Sequence, residues 1–269
     1  MQQTFVMYKN EMIERTLDKK FMTPFLKKAQ IAEFKELKNI IERVYLETKH
    51  TLAILDIGIG NGRIPLLLSE ESIWKKIKLY VGFDNSNFEI KKSKIAVKKR
   101  NLSKVKVVYF DAINLGKKSS NEIFKHKYDL IICTYFTAGD FKPSEIKIKA
   151  DKNGLIVSYP KSCLEPNKNF VKIFKAAYQL LKRNGKIVLG STYIDNNVNR
   201  LRQEEFYKKC GMIILASKND SFTATKEGFW SQRFTKDKIY DYLSWLNKEK
   251  IKFVPLDVYN FAQMVIISK

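Results

Sequence analysis

The sequence predicts an α/β fold: a doubly wound, seven-stranded, mostly parallel sheet with an antiparallel closing strand, N-terminal helices and an inserted β-hairpin. Short apolar runs rich in branched residues alternate with segments of helical periodicity, a pattern typical of strands buried on both faces. The first three runs each end in an acidic residue, at Asp56, Asp84 and Asp111. Because strands of an open α/β sheet share one crevice at their carboxyl ends, we expect these side chains to converge.

Length, apolar content and cysteine spacing indicate a globular cytoplasmic protein. The 269 residues suffice for one sizeable domain with extensions. No apolar run reaches the roughly 18 residues of a membrane span, and the first residues lack a signal-peptide pattern. Cys133, Cys163 and Cys210 lie far apart in the sequence, so we expect neither a disulfide framework nor a metal site.

The formal net charge is +22, and the excess is nearly all lysine. Clustered cations bind nucleic-acid phosphates, but dedicated phosphate recognition favours the planar guanidinium of arginine. The lysines are spread along the chain, and the densest run, Lys91 to Lys106, fits the solvated face of a helix. A solvated surface is the favoured interpretation, and RNA is the alternative partner.

Two helices are expected before the first strand. Residues Phe5 to Phe21 are amphipathic, and Thr23 followed by Pro24 gives an N-cap with proline at the first helical position. Apolar residues then recur at intervals of three and four as far as Tyr45. We predict that residues 1–49 form a helical cap and residues 50–269 the main domain.

The first predicted strand, residues 51–57, carries Asp56 next to its end. A glycine-rich turn follows it and consists of Gly58, Ile59, Gly60, Asn61 and Gly62. A helical pattern begins at Ile64. Such a turn brings bare backbone N–H groups and the positive end of a helix to a ligand. The third glycine comes one residue too early for the dinucleotide fingerprint G-x-G-x-x-G, and Asp56 would repel a pyrophosphate. Both features disfavour NAD and FAD.

The next strands also end in polar residues. The second, residues 78–83, leads into Asp84, which lies 22 residues beyond Gly62. A carboxylate at this tip can accept hydrogen bonds from both hydroxyls of a ribose, because its two oxygens have a matching separation. The third strand, residues 105–110, ends at Asp111, and the fourth, residues 128–133, ends at Thr134.

The second half of the chain supplies an insertion and the closing strands. Residues 142–169 exceed a usual connection and alternate around Asn153 and Gly154, which predicts a β-hairpin inserted beside the crevice. The fifth strand is predicted at residues 186–191, and residues 212–217 and 261–268 are expected to form the closing antiparallel pair. An aromatic-rich loop between them contains Trp230 and Arg233.

Together these motifs resemble class I S-adenosylmethionine-dependent methyltransferases. The acidic residue before G-x-G-x-G carries the resemblance, and residues 81–86 and 181–189 are also similar to family segments. The resemblance implies S-adenosylmethionine as cofactor and S-adenosylhomocysteine as product, with adenine at the third strand tip. It implies cofactor binding by the turn and the strand tips, at Asp56, Gly58, Gly60, Gly62, Asp84, Asn85, Asp111, Ala112 and Thr134.

In this family the methyl group faces the tip of the fourth strand. That tip lacks the N-P-P-Y and D-P-P-Y motifs that grip exocyclic base amines, and it lacks a Pro-Cys nucleophile. The substrate-binding candidates are Phe136 at the tip, Tyr8 in the cap, and Trp230 and Arg233 in the aromatic loop. Packing against the sheet edge would explain the two loop residues equally well. The resemblance also implies that the cap can close over the cofactor, which makes Phe5 and Tyr8 candidate lid residues.

Few side chains are candidates for removing a proton from the acceptor. Both histidines, His50 and His126, precede strands and are expected at the opposite edge of the sheet. The catalytic candidates are therefore Tyr135, Asp140 and Tyr193, with Glu227 as a further base. The alternative is an acceptor that is already deprotonated in solution.

The leading hypothesis is a cytoplasmic S-adenosylmethionine-dependent methyltransferase that acts on nitrogen or oxygen of a small molecule. An RNA or protein methyltransferase that uses the lysine-rich surface is the first alternative. A non-catalytic module that binds S-adenosylmethionine is the second.

Overall fold

The computed structural model describes residues 15–16, 18, 20–117, 122–143, 147–151, 154–158, 166–217, 221–256 and 259–269. The lid candidates Tyr8 and Phe5, with most of the predicted first helix, lie outside these residues. Among the described helices, none is long and apolar enough to cross a membrane.

The helices of the described chain are α1 (Pro24–Thr48), α2 (Arg63–Ser69), α3 (Asn87–Lys99), α4 (Lys168–Leu180), α5 (Asn197–Lys209) and α6 (Lys236–Tyr242). The strands are β1 (Leu52–Ile57), β2 (Ile77–Asp84), β3 (Val105–Tyr109), β4 (Tyr128–Cys133), β5 (Lys147–Asp151), β6 (Gly154–Ser158), β7 (Leu181–Tyr193), β8 (Ile214–Ala216), β9 (Phe222–Thr225), β10 (Trp230–Gln232), β11 (Ile251–Pro255) and β12 (Ala262–Ser268).

The predicted fold class is confirmed. The main sheet has seven strands in the order β11-β12-β7-β4-β1-β2-β3. β12 pairs antiparallel with both its neighbours, and the pairs from β7 to β3 are parallel. The strand order changes direction at β1, which pairs with both β2 and β4. In such sheets a ligand crevice opens at this point, beyond the carboxyl ends of the strands.

The inserted β-hairpin is also confirmed, because β5 and β6 pair antiparallel in a sheet of their own. The predicted closing pair was half wrong. β12 pairs with β11, whereas residues 212–217 contribute β8 to a separate sheet with β9 and β10. β11 is an edge strand in which exposed Lys252 interrupts the apolar run and Pro255 ends it, so its pattern is weaker than that of residues 212–217.

Both faces of the main sheet are buried. Along β1, Leu52 and Ile54 enter one hydrophobic core while Ala53, Leu55 and Ile57 enter the other, as the two-residue period of a strand requires. α1 covers the first face with a buried stripe at Leu26, Ala29, Glu33, Leu37, Ile40 and Val44. Glu33 is thus a carboxylate at a core position of the helix.

The glycine turn after β1 is fixed against β2 by one close approach. A Cβ atom placed on Gly82 would lie 2.2 Å from Cδ1 of Ile59, the apolar residue within the turn. Because Gly82 sits in the middle of β2, where the backbone cannot give way, only glycine leaves room for Ile59.

We expect Gly82→Ala to lower the free energy of unfolding by about 1 to 3 kcal/mol, the range for overpacking a buried site. Gly116→Ala is the matched control, because its new Cβ would meet nothing closer than 3.8 Å. Urea denaturation of both variants measures the difference, and equal stabilities would contradict the close approach.

Candidate active site

One cavity lies at the carboxyl ends of β1, β2, β3 and β4. It brings together eleven of the residues predicted for the site: Gly58, Gly60, Asp84, Asn85, Asp111, Ala112, Thr134, Tyr135, Phe136, Asp140 and Tyr193. Asp56, Gly62, Trp230 and Arg233 do not line it.

The glycine turn forms a cradle of exposed backbone. Gly58, Gly60 and Gly62 have φ angles of 77°, 53° and 84°, in the left-handed region that glycine adopts without strain. A Cβ on Gly58 would lie 2.6 Å from the Thr137 side chain, across the cavity wall. The turn therefore needs glycine at Gly58 both for its backbone angle and for the close packing of Thr137, and it presents Gly58 and Gly60 to the cavity.

Asp84 joins the tip of β2 to this turn. Its Oδ2 accepts a hydrogen bond from the Gly60 N–H at 3.1 Å, and its Oδ1 accepts one from the Ser86 N–H at 2.8 Å. Burial raises the pKa of Asp84, and these backbone donors partly offset the effect. At the next tip, Asp111 accepts from the Ile113 N–H at 3.1 Å and caps the short helix Ala112–Asn114.

Asp56 lies beneath the turn instead of facing the cavity. It is 1% exposed, and Oη of Tyr80 donates to its Oδ2 at 2.5 Å. Its Oδ1 is buried and has no partner among the described residues. Burial raises the pKa of Asp56 to about 7, against the opposing effects of the Tyr80 hydrogen bond and of Arg63. The resemblance implies that Asp56 contacts the cofactor, but its burial beneath the turn, outside the cavity lining, does not support a direct contact.

A buried network that the sequence analysis missed ties α1 to the strand tips. Oε2 of Glu33 accepts hydrogen bonds from the backbone N–H groups of Tyr135 at 2.9 Å and Ser191 at 2.6 Å. Oε1 accepts from Nη2 of Arg63 at 3.1 Å. The Arg63 guanidinium also lies over the Tyr135 ring, 5.1 Å from its centroid. One carboxylate thus links the ends of β4 and β7 to the glycine turn.

The far end of the cavity is aromatic. Tyr135 and Phe136 follow β4 with φ angles of 53° and 64°, a sparsely populated region for such residues that recurs at functional sites. The Phe136 ring stacks on Tyr193 with centroids 3.9 Å apart. Three further residues, which sequence reasoning missed, complete this end: Phe206, Tyr207 and Phe229.

Among the described residues, the aromatic loop contributes one residue to the cavity lining, and it is neither of the two predicted from the sequence. Phe229 lines the cavity, whereas Trp230 is 2% exposed and packs on Phe222. Arg233 is fully buried, and it donates to Asp195 at 3.2 Å and to Gln203 at 2.6 Å. These bonds satisfy the Arg233 guanidinium within the protein, and the burial of both residues favours the packing alternative over the substrate role predicted for Trp230 and Arg233.

Burial favours the protonated forms of the candidate proton acceptors. Burial raises the pKa of Asp140 well above its usual range, and it also raises the pKa values of Tyr135 and Tyr193. Oη of Tyr135 donates to the Thr16 carbonyl at 2.7 Å. Glu227 lies outside the cavity lining and accepts from the Ile213 N–H.

Both histidines lie away from the cavity. His50 contacts Asp129 at the amino end of β4, with 2.9 Å between Nε2 and Oδ1, and His126 contacts Glu122. Across the described ranges, no cluster of three or more histidine, cysteine, aspartate or glutamate residues could hold a metal ion.

We expect Glu33→Ala to lower the free energy of unfolding by about 3 to 5 kcal/mol, because it strands two buried N–H groups and the Arg63 guanidinium. Glu36→Ala is the control on the same helix. Glu36 pairs with Arg43 at 2.7 Å, but Arg43 is 48% exposed, so the loss there should stay below about 1 kcal/mol. Similar losses in the two variants, measured by urea denaturation, would contradict the network.

Asp56 should make stability fall as pH rises. Its pKa is about 7 in the folded protein and 3.8 in an unperturbed chain, so folding takes up a proton between these values. Between pH 5 and pH 8 the free energy of unfolding of wild type should fall by about 2 kcal/mol more than that of Asp56→Asn. The asparagine cannot ionise, and its side-chain oxygen can still accept the Tyr80 hydrogen bond. Parallel pH profiles of unfolding free energy for the two proteins would refute this role.

Comparison with known proteins agrees with this arrangement. The family model described as a methyltransferase domain matches residues 48–245. A search of curated protein sequences finds no match.

Solved structures resemble the chain in fold. Magnesium protoporphyrin IX methyltransferase (ChlM) from Synechocystis PCC 6803, with bound SAH, has a TM-score of 0.53 at 9% identity, covering 96% of this chain and 93% of that one. CalS10, an amino pentose methyltransferase from Micromonospora echinaspora with bound SAM, has a TM-score of 0.51 at 10% identity, covering 88% and 92%. Since the family match spans most of the chain, the protein belongs to the class I S-adenosylmethionine-dependent methyltransferases.

Proposed function

We propose that this methyltransferase transfers the methyl group of S-adenosylmethionine to a nitrogen or oxygen atom of a small molecule bound at the aromatic end of the cavity. The observation that carries the proposal is the enclosure of this end by six aromatic side chains: Tyr135, Phe136, Tyr193, Phe206, Tyr207 and Phe229. Pockets of this composition suit small, largely apolar ligands with a few fixed polar groups.

The opposite end fits the cofactor. The left-handed glycines leave the backbone of the turn open to an adenosyl group, and Asp84 stands at the strand tip where a carboxylate can accept from ribose hydroxyls. The residues that would hold it are Gly58, Gly60, Asp84 and the backbone near Ala112. When bound, S-adenosylmethionine supplies a methyl group on a cationic sulfur.

The cavity lining favours a small molecule over RNA. Arg63 is the one basic residue among the described residues of the lining, and it is already paired with Glu33. Nucleic acid binding needs several free cations along the path of the phosphates. The densest lysine run instead lies on α3, where Lys91, Lys94, Lys98 and Lys99 are exposed. The two similar solved structures are also named for small acceptors, although that likeness extends to the fold alone.

The side chains of the site exclude water and orient the acceptor. Methyl transfer is an in-line displacement, so alignment of the two reactants supplies much of the rate. Burial favours the protonated forms of Asp140, Tyr135 and Tyr193, and the Tyr135 hydroxyl already donates to the Thr16 carbonyl, so these side chains are poorly suited to remove a proton from the acceptor. The acceptor atom therefore reacts in a form that is deprotonated in solution or carries a free electron pair.

The experiment supplies methyl-labelled S-adenosylmethionine to purified protein with a metabolite extract, bulk RNA or bulk protein. Label should enter the metabolite fraction. Once an acceptor is known, Phe229→Ala should lower kcat/KM for it about 10-fold or more, because an aromatic wall is lost, while cofactor affinity is kept.

The control is the charge reversal Lys98→Glu with Lys99→Glu on the exposed face of α3. This double variant should retain full activity on a small acceptor. Label that enters RNA and is lost in the double variant would overturn the proposal in favour of an RNA substrate.

A further inference from the structure

Glu89 is a buried carboxylate in the cavity with no assigned role. It lies in the first turn of α3, is 1% exposed and lines the cavity beside the glycine turn. Neither of its carboxylate oxygens has a hydrogen-bond partner among the described residues. Its Oε2 lies 3.9 Å from the point where a Cβ of Gly60 would stand.

This placement is unfavourable for the free protein. A buried polar group without partners costs free energy, and a carboxylate costs more than a neutral group. A glutamate in the first turn gains some energy from the helix dipole, but that gain is small beside the cost of desolvation. Burial and the nearby Asp84 raise the pKa of Glu89 to about 7, as expected for an unpartnered carboxyl. Helix capping therefore does not account for Glu89.

Asp84, by contrast, is already engaged. Each of its oxygens accepts a backbone N–H, from Gly60 and from Ser86. Glu89 and Asp84 both lie close to Gly60, and Asp84 is near enough to raise the pKa of Glu89. A ribose offers two hydroxyl donors, and two neighbouring carboxyl groups, one of them free of partners, can take one each.

We propose that Glu89 is a second acceptor for the cofactor ribose, so that the two hydroxyls are divided between Asp84 and Glu89. The assignment rests on the proposed function, because it requires an adenosyl ligand in this cavity. It makes Glu89 a binding residue whose side chain is satisfied only when the ribose is present.

Isothermal titration calorimetry with three ligands tests the division: S-adenosylhomocysteine and its 2′-deoxy and 3′-deoxy analogues. Glu89→Ala should weaken S-adenosylhomocysteine binding about 10-fold or more, the effect of losing a hydrogen bond to a charged group. For one deoxy analogue, Glu89→Ala and wild type should bind within about threefold of each other, since the hydroxyl that Glu89 binds is absent. Asp84→Asn should show the same pattern with the other analogue.

Thermal melting of the free proteins separates binding from a structural role. Glu89→Ala should melt at or above the wild-type temperature, because it removes an unpartnered buried carboxyl. Glu205→Ala, which changes an exposed glutamate on α5, is the matched control and should leave every affinity unchanged.

Two results would overturn the assignment while leaving the proposed function intact. One is unchanged S-adenosylhomocysteine affinity in Glu89→Ala. The other is an equal loss for all three ligands, which would show that Glu89 acts on the shape of the site. Failure of wild type to bind S-adenosylhomocysteine would instead refute the proposed function, and the Glu89 assignment with it.

Discussion

The geometry of the site depends on a single buried carboxylate, that of Glu33. Its two oxygens accept from Tyr135, Ser191 and Arg63, which belong to three separate segments of the chain. A Cβ on Gly190 would lie 2.8 Å from Oε2 of Glu33, so the backbone of β7 also accommodates this side chain closely. Because an unpaired buried charge is expensive, the carboxylate holds all three segments in one relative position.

That position determines what the cavity presents to its ligands. The Tyr135 N–H is held by Glu33, and the residue adopts a left-handed backbone that turns the aromatic rings of Tyr135 and Phe136 into the cavity wall. Arg63 is paired in the same contact, and the other acidic or basic side chains of the described lining are the carboxyl groups of Asp84, Glu89, Asp111 and Asp140. An acidic cavity in apolar surroundings suits a cationic adenosyl ligand and disfavours phosphate.

Much of the fold could be predicted because buried parallel strands have a simple sequence pattern: a continuous apolar run, a polar residue at the end of the strand, and then a helix. Asp84 and Asp111 were placed correctly at one crevice for that reason. β11 was not predicted because an edge strand is only partly buried, so polar residues such as Lys252 interrupt its run of apolar residues. Glu33 was missed because its backbone partners, Tyr135 and Ser191, lie more than a hundred residues away in sequence, although its position on the apolar stripe of α1 was a usable signal.

The aromatic end of the cavity was the least predictable part. Phe206 and Tyr207 come from α5 and Phe229 from a loop, so separate segments of the chain meet in this part of the lining. Trp230 and Arg233 were predicted as substrate-binding residues because they are large, chemically distinctive side chains in the same loop. Side-chain type alone cannot tell which residue of such a loop faces a cavity, because the loop's packing decides it.

The position of Glu33 also bears on what constitutes the folding unit. The family match begins at residue 48 and ends at residue 245, so it contains neither α1 nor the last two strands of the sheet. The segment that matches the family model is therefore smaller than the set of elements that builds the sheet and its helical cover. An excised 48–245 segment would retain every glycine of the cofactor turn, yet it would lack the carboxylate that aligns that turn with the strand tips.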